Sequence, residues 1–330
     1  MNADHPRGFV SRFAGRPVLV IGDLMLDHFV VGRVTRMSPE APVPVVRFER
    51  DEYRLGGAAN VAHNLRALGA HVSVVGVVGR DAAADRLTAD LEGIGVDVSG
   101  VTADPGRPTT TKLRVVTERN QQVSRIDFES DQDLEPAVER VLVGHVEARL
   151  QASAAVVISD YLKGVVTREV AARTIALARQ QGIPLVVDPK VPHVDYYRGA
   201  RLITPNHHET EAVTLQRVRT TEDTRMAARA FRARAGCDAV LVTRGEHGMW
   251  LLDGEPGAGG VECDLPAAAR EVSDVTGAGD TVVATLALGL AAGAPLVDAA
   301  TLANHAAGIV VARFGPATVT PAELIASFDR

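Results

Sequence analysis

Short β-branched runs alternate with helical stretches along most of this chain, and this alternation limits the fold more than any other feature. A Gly, Asp or Pro lies at or next to the end of each run, as is common for buried parallel strands. The runs are residues 18–22, 72–79, 156–159, 185–189, 202–206 and 240–245, and the helical stretches are 58–68, 82–91, 135–150, 168–181 and 226–235. The pattern predicts an α/β fold with a doubly wound, mostly parallel sheet flanked by helices.

Two regions, residues 29–55 and 109–129, interrupt the alternation because they contain strand-like segments without helices. They predict a small β-rich lid. In the second region Lys112 and Arg114 alternate with neutral residues, so one face can pack while the other offers charge to a ligand; a solvated edge strand is the alternative. No Pro-, Gly- or Ser-rich linker separates two units, so residues 1–330 are expected to form a single domain carrying this lid.

Composition excludes several kinds of partner. The chain has 35 basic and 41 acidic residues, a net charge of −6 and no basic block, so no nucleic-acid partner is expected. A charge-free run at 281–297 is shorter than the ~20 residues of a membrane span, so we expect a buried helix and no membrane partner. Residues 1–17 contain no apolar signal stretch, and Cys237 and Cys263 form no disulfide framework. A cytoplasmic protein with free thiols is expected.

The strongest motif is a glycine turn directly before that apolar run, where residues 274–281 read Asp-Val-Thr-Gly-Ala-Gly-Asp-Thr. Gly277 and Gly279 let the backbone approach a ligand, and the free N–H groups of a helix start form an anion site. A carboxylate at Asp280 would repel a simply bound phosphate, but it can accept a hydroxyl proton as that oxygen attacks phosphorus. The alternative is that Asp280 merely caps the helix.

Two further clusters suit a ligand with many hydroxyl groups. Gly56 and Gly57 lead into a helix whose Asn60 can both donate and accept hydrogen bonds, although a plain helix start would also need glycines. Asp23 and Asp27 follow the first strand, at the edge where α/β sheets bind ligands. Their carboxylates suit sugar hydroxyls, and a helix cap with a surface acid is the alternative.

Residues 56–79 and 274–284 resemble the two signatures of the pfkB, or ribokinase-like, carbohydrate kinases, and every fixed position of both patterns is filled. The resemblance spans nearly the whole chain. More narrowly, five segments are similar to members that phosphorylate D-glycero-β-D-manno-heptose 7-phosphate, namely 22–27, 38–45, 111–114, 125–129 and 159–161. The chain departs from several such relatives at Leu162, where they carry a smaller residue or glycine, and this departure concerns the shape of the substrate loop.

The resemblance implies ATP- and Mg²⁺-dependent transfer to the C1 hydroxyl, giving the 1,7-bisphosphate on the route to ADP-heptose and lipopolysaccharide cores. It implies Asp280 as the base, with Gly277, Ala278 and Gly279 stabilising the moving phosphoryl group. The residues implied at the nucleotide are Asn206, His207, His208, Glu209, Thr243, Arg244, Gly245 and Asn304, with Glu209 reaching Mg²⁺ through water. The residues implied at the sugar are Asp23, Asp27, Gly56, Gly57, Asn60 and Asp160. Asp274 and Thr276 are implied as a monovalent-cation site for K⁺.

Three of the 35 basic residues are lysines, Lys112, Lys163 and Lys190, and each lies beside a segment already named. Because lysine is a compact charge for phosphate, Lys112, Arg114 or Lys163 is predicted to bind the sugar's 7-phosphate, with coincidence as the alternative. The resemblance also implies a homodimer through the lid, whose edge strands invite pairing. A separate adenylyltransferase is expected for a later step, since the chain has no His-x-Gly-His signature.

Other classes of protein fit less well. A P-loop kinase is excluded because the chain contains no Gly-Lys pair. A dinucleotide oxidoreductase would place G-x-G-x-x-G after the first strand, where this chain has Asp23 and Asp27. The adjacent His207 and His208 match no zinc motif. A kinase of another sugar or phosphosugar stays open, as does a non-catalytic sensor on the same fold, against which the presence of Asp280 counts.

Overall fold

The structure, a computed structural model, describes residues 6–119, 121–254, 259–269, 272–313, 315 and 317–329. Residues 1–5 and 330 of the predicted single domain lie outside the described residues. The strands are β1 (Pro17–Gly22), β2 (Leu24–Met37), β3 (Pro44–Gly57), β4 (His71–Val78), β5 (Asp97–Ala103), β6 (Thr111–Thr117), β7 (Gln122–Phe128), β8 (Ala155–Ser159), β9 (Leu185–Asp188), β10 (Leu202–Ile203), β11 (Ala239–Thr243), β12 (Met249–Asp253) and β13 (Val261–Leu265). The helices are α1 (Ala58–Ala67), α2 (Ala82–Gly93), α3 (Pro136–Leu150), α4 (Arg168–Gln181), α5 (His207–Thr214), α6 (Thr221–Ala235), α7 (Ala278–Ala291), α8 (Leu296–Val310) and α9 (Pro321–Ala326).

The main sheet has nine strands in the order β13-β12-β11-β10-β9-β8-β1-β4-β5. Seven neighbouring strands of this sheet pair in parallel, namely β11, β10, β9, β8, β1, β4 and β5. Strands β12 and β13 add an antiparallel edge. The predicted fold class is therefore confirmed. The chain runs outward from β1 through β4 to β5 and then returns to β8 on the other side, so the strand order reverses at β1. Such a switch point is where open α/β sheets bind ligands.

Alternating residues of β1 explain why the sheet has helices on both faces. Val18 and Val20 pack into the cluster that contains residues of α1, α7 and α8. Leu19 and Ile21 pack into the opposite cluster, with residues of α3, α4 and α6. A strand covered on both faces is apolar at successive positions, which is the pattern seen in the sequence.

A four-stranded sheet in the order β3-β2-β6-β7 forms the predicted lid. Strand β2 begins at Leu24, five residues before the predicted region, because Leu24 already pairs with Gly57 of β3. The β6–β7 pairing shifts register between Val115 and Val116, and Val116 is buried although its parity matches Lys112 and Arg114. Residues 112–115 are all half-buried, so burial along β6 does not show the predicted alternation of a packed and a charged face.

The buried helix expected in residues 281–297 is confirmed only as far as Ala291. Helix α7 ends at Ala291 and α8 begins at Leu296. Gly293 between them has a φ of 83°, in the left-handed region, and Pro295 precedes the first residue of α8, where its fixed φ and missing N–H are tolerated. No helix in the described ranges combines the length and the apolar character needed to cross a bilayer.

Candidate active site

Asp280 lies in the first turn of α7 and is 5% exposed. Its Oδ2 accepts a hydrogen bond from Asn60 Nδ2 at 2.6 Å, and its Oδ1 accepts one from the Tyr161 hydroxyl at 2.7 Å. The helix is capped by Gly277, whose φ of 77° places it in the left-handed region, with no side-chain cap. The carboxylate is thus held by two side chains and does not cap the helix.

Burial raises the pKa of Asp280 to about 6. The hydrogen bonds from Asn60 and Tyr161 and the charge of Lys190 lower this pKa, whereas Asp27 raises it. A carboxyl group with this pKa is ionised at neutral pH but is more basic than an exposed aspartate. These properties suit a general base that works near pH 7.

Asp23, directly after β1, is buried and holds the loop that follows β8. Its Oδ2 accepts hydrogen bonds from the backbone N–H of Tyr161 at 2.7 Å and of Lys163 at 3.2 Å, and its Oδ1 accepts one from Val165 at 3.1 Å. Burial, followed by the charge of Asp160, raises the pKa of Asp23 to about 6 against the effect of these hydrogen bonds. Asp23 therefore shapes the loop that carries Tyr161 and Lys163.

Asp160 is also buried and has no exposed surface. Its Oδ2 accepts hydrogen bonds from Tyr197 at 2.6 Å and from His193 Nδ1 at 2.7 Å, and its Oδ1 accepts the N–H of Leu162 at 2.8 Å. Leu162 has a φ of 57°, which is costly for a bulky side chain. This left-handed position explains why a glycine or small residue is suited to it.

Asp27 lies in β2 at the base of the lid, where its Oδ1 accepts a hydrogen bond from Arg114 at 2.5 Å. A Cβ at Gly56 would lie 2.8 Å from Asp27 Oδ2, and a Cβ at Gly57 would lie 2.5 Å from the carbonyl oxygen of Asp23. Both glycines thus allow β3 to approach β2 closely. The structure brings Asp23, Asp27, Gly56, Gly57 and Asn60 together at the carboxyl end of β1.

A group of charged side chains joins the lid to the loop after β8. Lys163 Nζ lies 2.8 Å from Glu129 Oε1, and Lys112 Nζ lies 3.4 Å from Glu129 Oε2. Lys112 is also 3.6 Å from Asp127 Oδ2. Two of the three lysines therefore converge on one carboxylate, and Glu129 brings together Lys112 of the lid and Lys163 of the loop after β8.

A cavity of about 700 Å³ lies beside the N-terminus of α7. Its walls are largely apolar, with a few polar groups, as in many small-molecule sites. It is lined by Thr243, Arg244, Gly245, Gly279 and Asn304 among the predicted residues, together with Met249, Ala268, Val275, Val282, Ala307, Gly308 and Val311. Asn304 Nδ2 donates to the carbonyl oxygen of Pro266 at 2.7 Å, which leaves its amide oxygen available to a ligand.

Asn206 and Glu209 form a capping box at the start of α5. Asn206 Oδ1 accepts the N–H of Glu209, and Glu209 Oε2 accepts the N–H of Asn206, both at 2.9 Å. The other oxygen of Glu209, Oε1, lies 3.2 Å from Lys190 Nζ. These residues line a cavity of about 160 Å³ that also contains Asp188, Tyr161 and Gly279. Glu209 therefore combines a helix cap with a place next to the glycine turn.

Asp188 ends β9 at the wall of this small cavity. Burial raises the pKa of Asp188 to about 8; Lys190 opposes the rise, and Asp280, Glu209 and Asp160 add to it. Several carboxyl groups thus repel one another here. Lys190 supplies a positive charge among them, and its Nζ lies 4.9 Å from the centre of the Tyr161 ring.

Of the other predicted residues, His207 and Ala278 also line the 700 Å³ cavity, whereas His208 does not. His207 and His208 contact each other with ring centres 3.9 Å apart, and His208 is mostly exposed. Arg244 donates to the carbonyl oxygen of His247 at 2.7 Å and pairs with Asp264. In the part of the chain that the structure describes, no three His, Cys, Asp or Glu side chains are grouped as a metal site.

Asp274 and Thr276 form a turn before α7. Asp274 Oδ1 accepts hydrogen bonds from the N–H of Thr276 at 2.9 Å and from its hydroxyl at 2.7 Å, and Oδ2 accepts the N–H of Gly315 at 2.9 Å. These hydrogen bonds outweigh partial burial, so the pKa of Asp274 is below its usual value. The two residues hold the glycine turn against the segment after α8.

Sequence reasoning assigned no role to Tyr161, Asp188 or Asn64. Asn64 Nδ2 donates to the Asn60 carbonyl oxygen at 2.9 Å, and Thr281 donates to Asn64 Oδ1 at 2.9 Å, so the α1–α7 contact is a connected polar network. The signal available for Asp188 was its place at the carboxyl end of a predicted parallel strand, two residues before Lys190. Tyr161 lies in the resembling segment 159–161 and Asn64 in the signature at 56–79, but neither residue received a role there.

The fold is that of ribokinase-like proteins. The structure aligns with Phosphofructokinase-2 from Escherichia coli in complex with potassium at a TM-score of 0.76, with 21% identity, covering 96% of this chain and 100% of that chain. It aligns with Arabidopsis thaliana ribokinase complexed with ribose and ATP at a TM-score of 0.71, with 18% identity, covering 96% and 99% of the two chains. These two alignments show the fold.

A model of the pfkB family of carbohydrate kinases matches residues 16–323, and the chain belongs to this family. It is thus a sugar kinase. It is 50% identical over 309 residues to "Bifunctional protein HldE" of Geobacter metallireducens, covering 94% of this chain and 62% of that protein. It is 48% identical over 324 residues to the protein of the same name from Pseudomonas aeruginosa, covering 97% and 65%. The chain therefore spans less than two thirds of the length of these curated relatives.

Proposed function

We propose that this kinase transfers the γ-phosphoryl group of ATP to the C1 hydroxyl of D-glycero-β-D-manno-heptose 7-phosphate, giving the 1,7-bisphosphate for ADP-heptose synthesis. One observation carries the proposal. Asp280 lies buried in the first turn of α7, whose Gly279 and Val282 line the 700 Å³ cavity, and its carboxylate is held by Asn60 of α1 and by Tyr161 of the loop that also carries Lys163. The heptose assignment rests on the sequence resemblance and on the relatives named above.

The reaction we propose needs the sugar hydroxyl, Asp280 and the terminal phosphate in line. The C1 oxygen forms a bond to the γ-phosphorus as the bond from that phosphorus to the ADP oxygen breaks, and Asp280 accepts the hydroxyl proton. Free N–H groups of the first turn of α7, including that of Gly279, point toward the transferring group and stabilise its negative charge. Base catalysis typically contributes ~10²–10⁴-fold, and the remaining acceleration comes from alignment and charge stabilisation.

The residues around the 160 Å³ cavity fit Mg²⁺. Asp188 and Glu209 provide carboxylate oxygens, the ligand type that Mg²⁺ prefers, and Mg²⁺ usually keeps several waters between itself and the protein. We assign Asp188 and Glu209 to hold it, Glu209 through water. The ion would neutralise negative charge on the nucleotide phosphates. A K⁺ site at Asp274 and Thr276 stays a prediction.

The defining experiment follows phosphorus NMR spectra of purified protein with Mg-ATP and the heptose 7-phosphate, with ribose and fructose 6-phosphate as parallel acceptors. A new anomeric phosphate resonance with the heptose alone is the expected result. Transfer to a different acceptor would keep the kinase mechanism and remove the heptose assignment. Absence of transfer to all three, with nucleotide binding intact, would favour the non-catalytic sensor.

We assign the 7-phosphate of the sugar to Lys112, Arg114 and Lys163. Lys112 and Lys163 share Glu129, and Arg114 lies beside Asp27, so a phosphate entering here meets three cations that are held in place. Replacing each by alanine is expected to raise the KM for the sugar phosphate roughly 10-fold or more, since a hydrogen bond to a charged group contributes ~1.5–3 kcal/mol. The KM for ATP should stay unchanged.

Arg33→Ala is the matched control for these variants. Arg33 is a lid cation that pairs with Glu49 and Glu118, away from the Glu129 cluster. Its removal should leave both KM values near those of the parent. Unchanged sugar affinity in all three test variants would remove the 7-phosphate assignment, and an equal loss in Arg33→Ala would point to general damage to the lid.

We also propose a homodimer that pairs through the lid. Large apolar side chains on the lid strands are exposed, with Phe48 58% and Phe128 48% accessible, and a second lid would cover them. An adenylyltransferase on a separate protein and a cytoplasmic location remain predictions that follow from the proposed pathway.

A further inference from the structure

We propose that Tyr161 is a positioning residue for the catalytic base, holding one oxygen of Asp280 so that the carboxylate faces the acceptor hydroxyl. This inference rests on the proposed function, in which Asp280 takes the proton. Tyr161 OH donates to Oδ1 at 2.7 Å while Asn60 holds Oδ2 at 2.6 Å. A carboxylate fixed at both oxygens cannot rotate about its terminal bond, so its remaining lone pairs keep one direction.

The backbone of Tyr161 is itself fixed at several points. Asp23 accepts the N–H groups of Tyr161, Lys163 and Val165, and Arg107 donates to the carbonyl oxygen of Lys163 at 2.9 Å. The loop therefore cannot drift away from α7 without breaking buried hydrogen bonds. A tyrosine that only filled space would need neither this anchoring nor a hydroxyl directed at a carboxylate 119 residues away.

The Tyr161 hydroxyl is suited to remain a donor. Burial and then the negative charge of Asp280 keep the pKa of Tyr161 well above its usual value, so it does not ionise in the working pH range. The charged groups that face the Tyr161–Asp280 pair are Asp27 of the lid, Asp188 at the end of β9 and Lys190 just after β9. All three stay in place in a Tyr161→Phe variant, so a change in the titration of Asp280 reports the lost hydroxyl.

The test is the pH dependence of kcat/KM between pH 5 and 9 for the parent, Tyr161→Phe and Tyr197→Phe. Loss of the donor destabilises the carboxylate form, so the acid limb of Tyr161→Phe should move upward by about one pH unit. The kcat/KM of Tyr161→Phe should then be about 10-fold below that of the parent near pH 5.5 and closer to it at pH 9. Tyr197 is the matched control because its buried hydroxyl donates to Asp160 instead, and its limb should stay in place.

A double-mutant cycle separates positioning from packing. If Tyr161 acts through Asp280, adding Tyr161→Phe to Asp280→Asn should change the residual turnover less than twofold. The same titration can be followed without turnover from the ¹³C carboxyl resonance that Asp280→Asn removes. Thermal midpoints of all variants show whether the fold is kept.

An unmoved acid limb and carboxyl resonance in folded Tyr161→Phe would overturn the proposal, even if turnover fell equally at every pH. Independent losses in the double mutant would overturn it too. These results leave the kinase assignment intact as long as Asp280→Asn is inactive. Near-normal turnover of Asp280→Asn would instead remove Asp280 as the base and Tyr161 with it. If the heptose is not the acceptor, the profile is measured with the sugar that is.

Discussion

Replacing Asp280 by asparagine is expected to lower kcat roughly 10²–10⁴-fold while ATP affinity stays within about threefold of the parent. The amide cannot accept the sugar proton, yet it has nearly the same shape. Its oxygen can accept from Asn60 Nδ2 and its NH₂ can donate to the Tyr161 hydroxyl oxygen. The 700 Å³ cavity is therefore preserved, and only the proton acceptor is lost.

The same variant should also change stability in a pH-dependent way. The pKa of Asp280 in the folded protein, about 6, lies above its usual value, so the folded state binds the proton more tightly than the unfolded chain. Stability from this group is full at low pH and is lost as pH rises through 6. Asp280→Asn should therefore gain unfolding free energy relative to the parent at pH 8, and this gain should exceed the one at pH 4 by at most roughly 3 kcal/mol.

Steady-state kinetics, nucleotide titration and urea unfolding at both pH values check these expectations. Asp85→Asn is the control, because Asp85 occupies the first turn of α2 and is exposed, so the same chemical change at a similar helix position should alter none of them. Turnover within tenfold of the parent in Asp280→Asn would refute the base assignment.

Sequence patterns captured the parts of the fold that depend on continuous apolar strands. Strands β1, β4, β8, β9 and β11 lie where they were expected, because residues covered on both faces leave an unbroken apolar run. Strand β5 was missed, since Asp-Val-Ser-Gly-Val-Thr-Ala mixes polar and apolar residues at the sheet edge. The buried helix expected in residues 281–297 stops at Ala291, because apolar content says nothing about a two-helix corner at Gly293 and Pro295.

The candidate site likewise has features that could be predicted from the sequence and features that could not. The glycine turn with Asp280 was predictable because its chemistry is contiguous in sequence. The role of Asp23 in holding a loop was not, since its three hydrogen bonds reach residues about 140 positions away. Tyr161 was missed for the same reason. The identity of a side chain suggests what it can bond to, but the fold decides which partner it meets.

Asp23→Ala is expected to be the most damaging single change outside the catalytic residue. It removes the acceptor for three backbone N–H groups, and unsatisfied buried donors cost ~1–3 kcal/mol each before water or relaxation reduces the loss. A decrease of roughly 3–5 kcal/mol in unfolding free energy is expected. Activity should fall as well, because the loop positions both Tyr161 beside Asp280 and Lys163 beside Glu129.

Urea unfolding gives the stability change, and hydrogen exchange locates it. The amides of Tyr161, Lys163 and Val165 should exchange faster than in the parent under conditions where the variant is still folded. Asp97→Ala is the matched control: Asp97 accepts the N–H of Ser99 at 2.9 Å in β5, so its loss should cost less than about 1 kcal/mol and leave the kinetics unchanged. If exchange at the loop stayed slow in Asp23→Ala, Asp23 would not be the residue that holds it, and a direct sugar contact would become the better account of its place after β1.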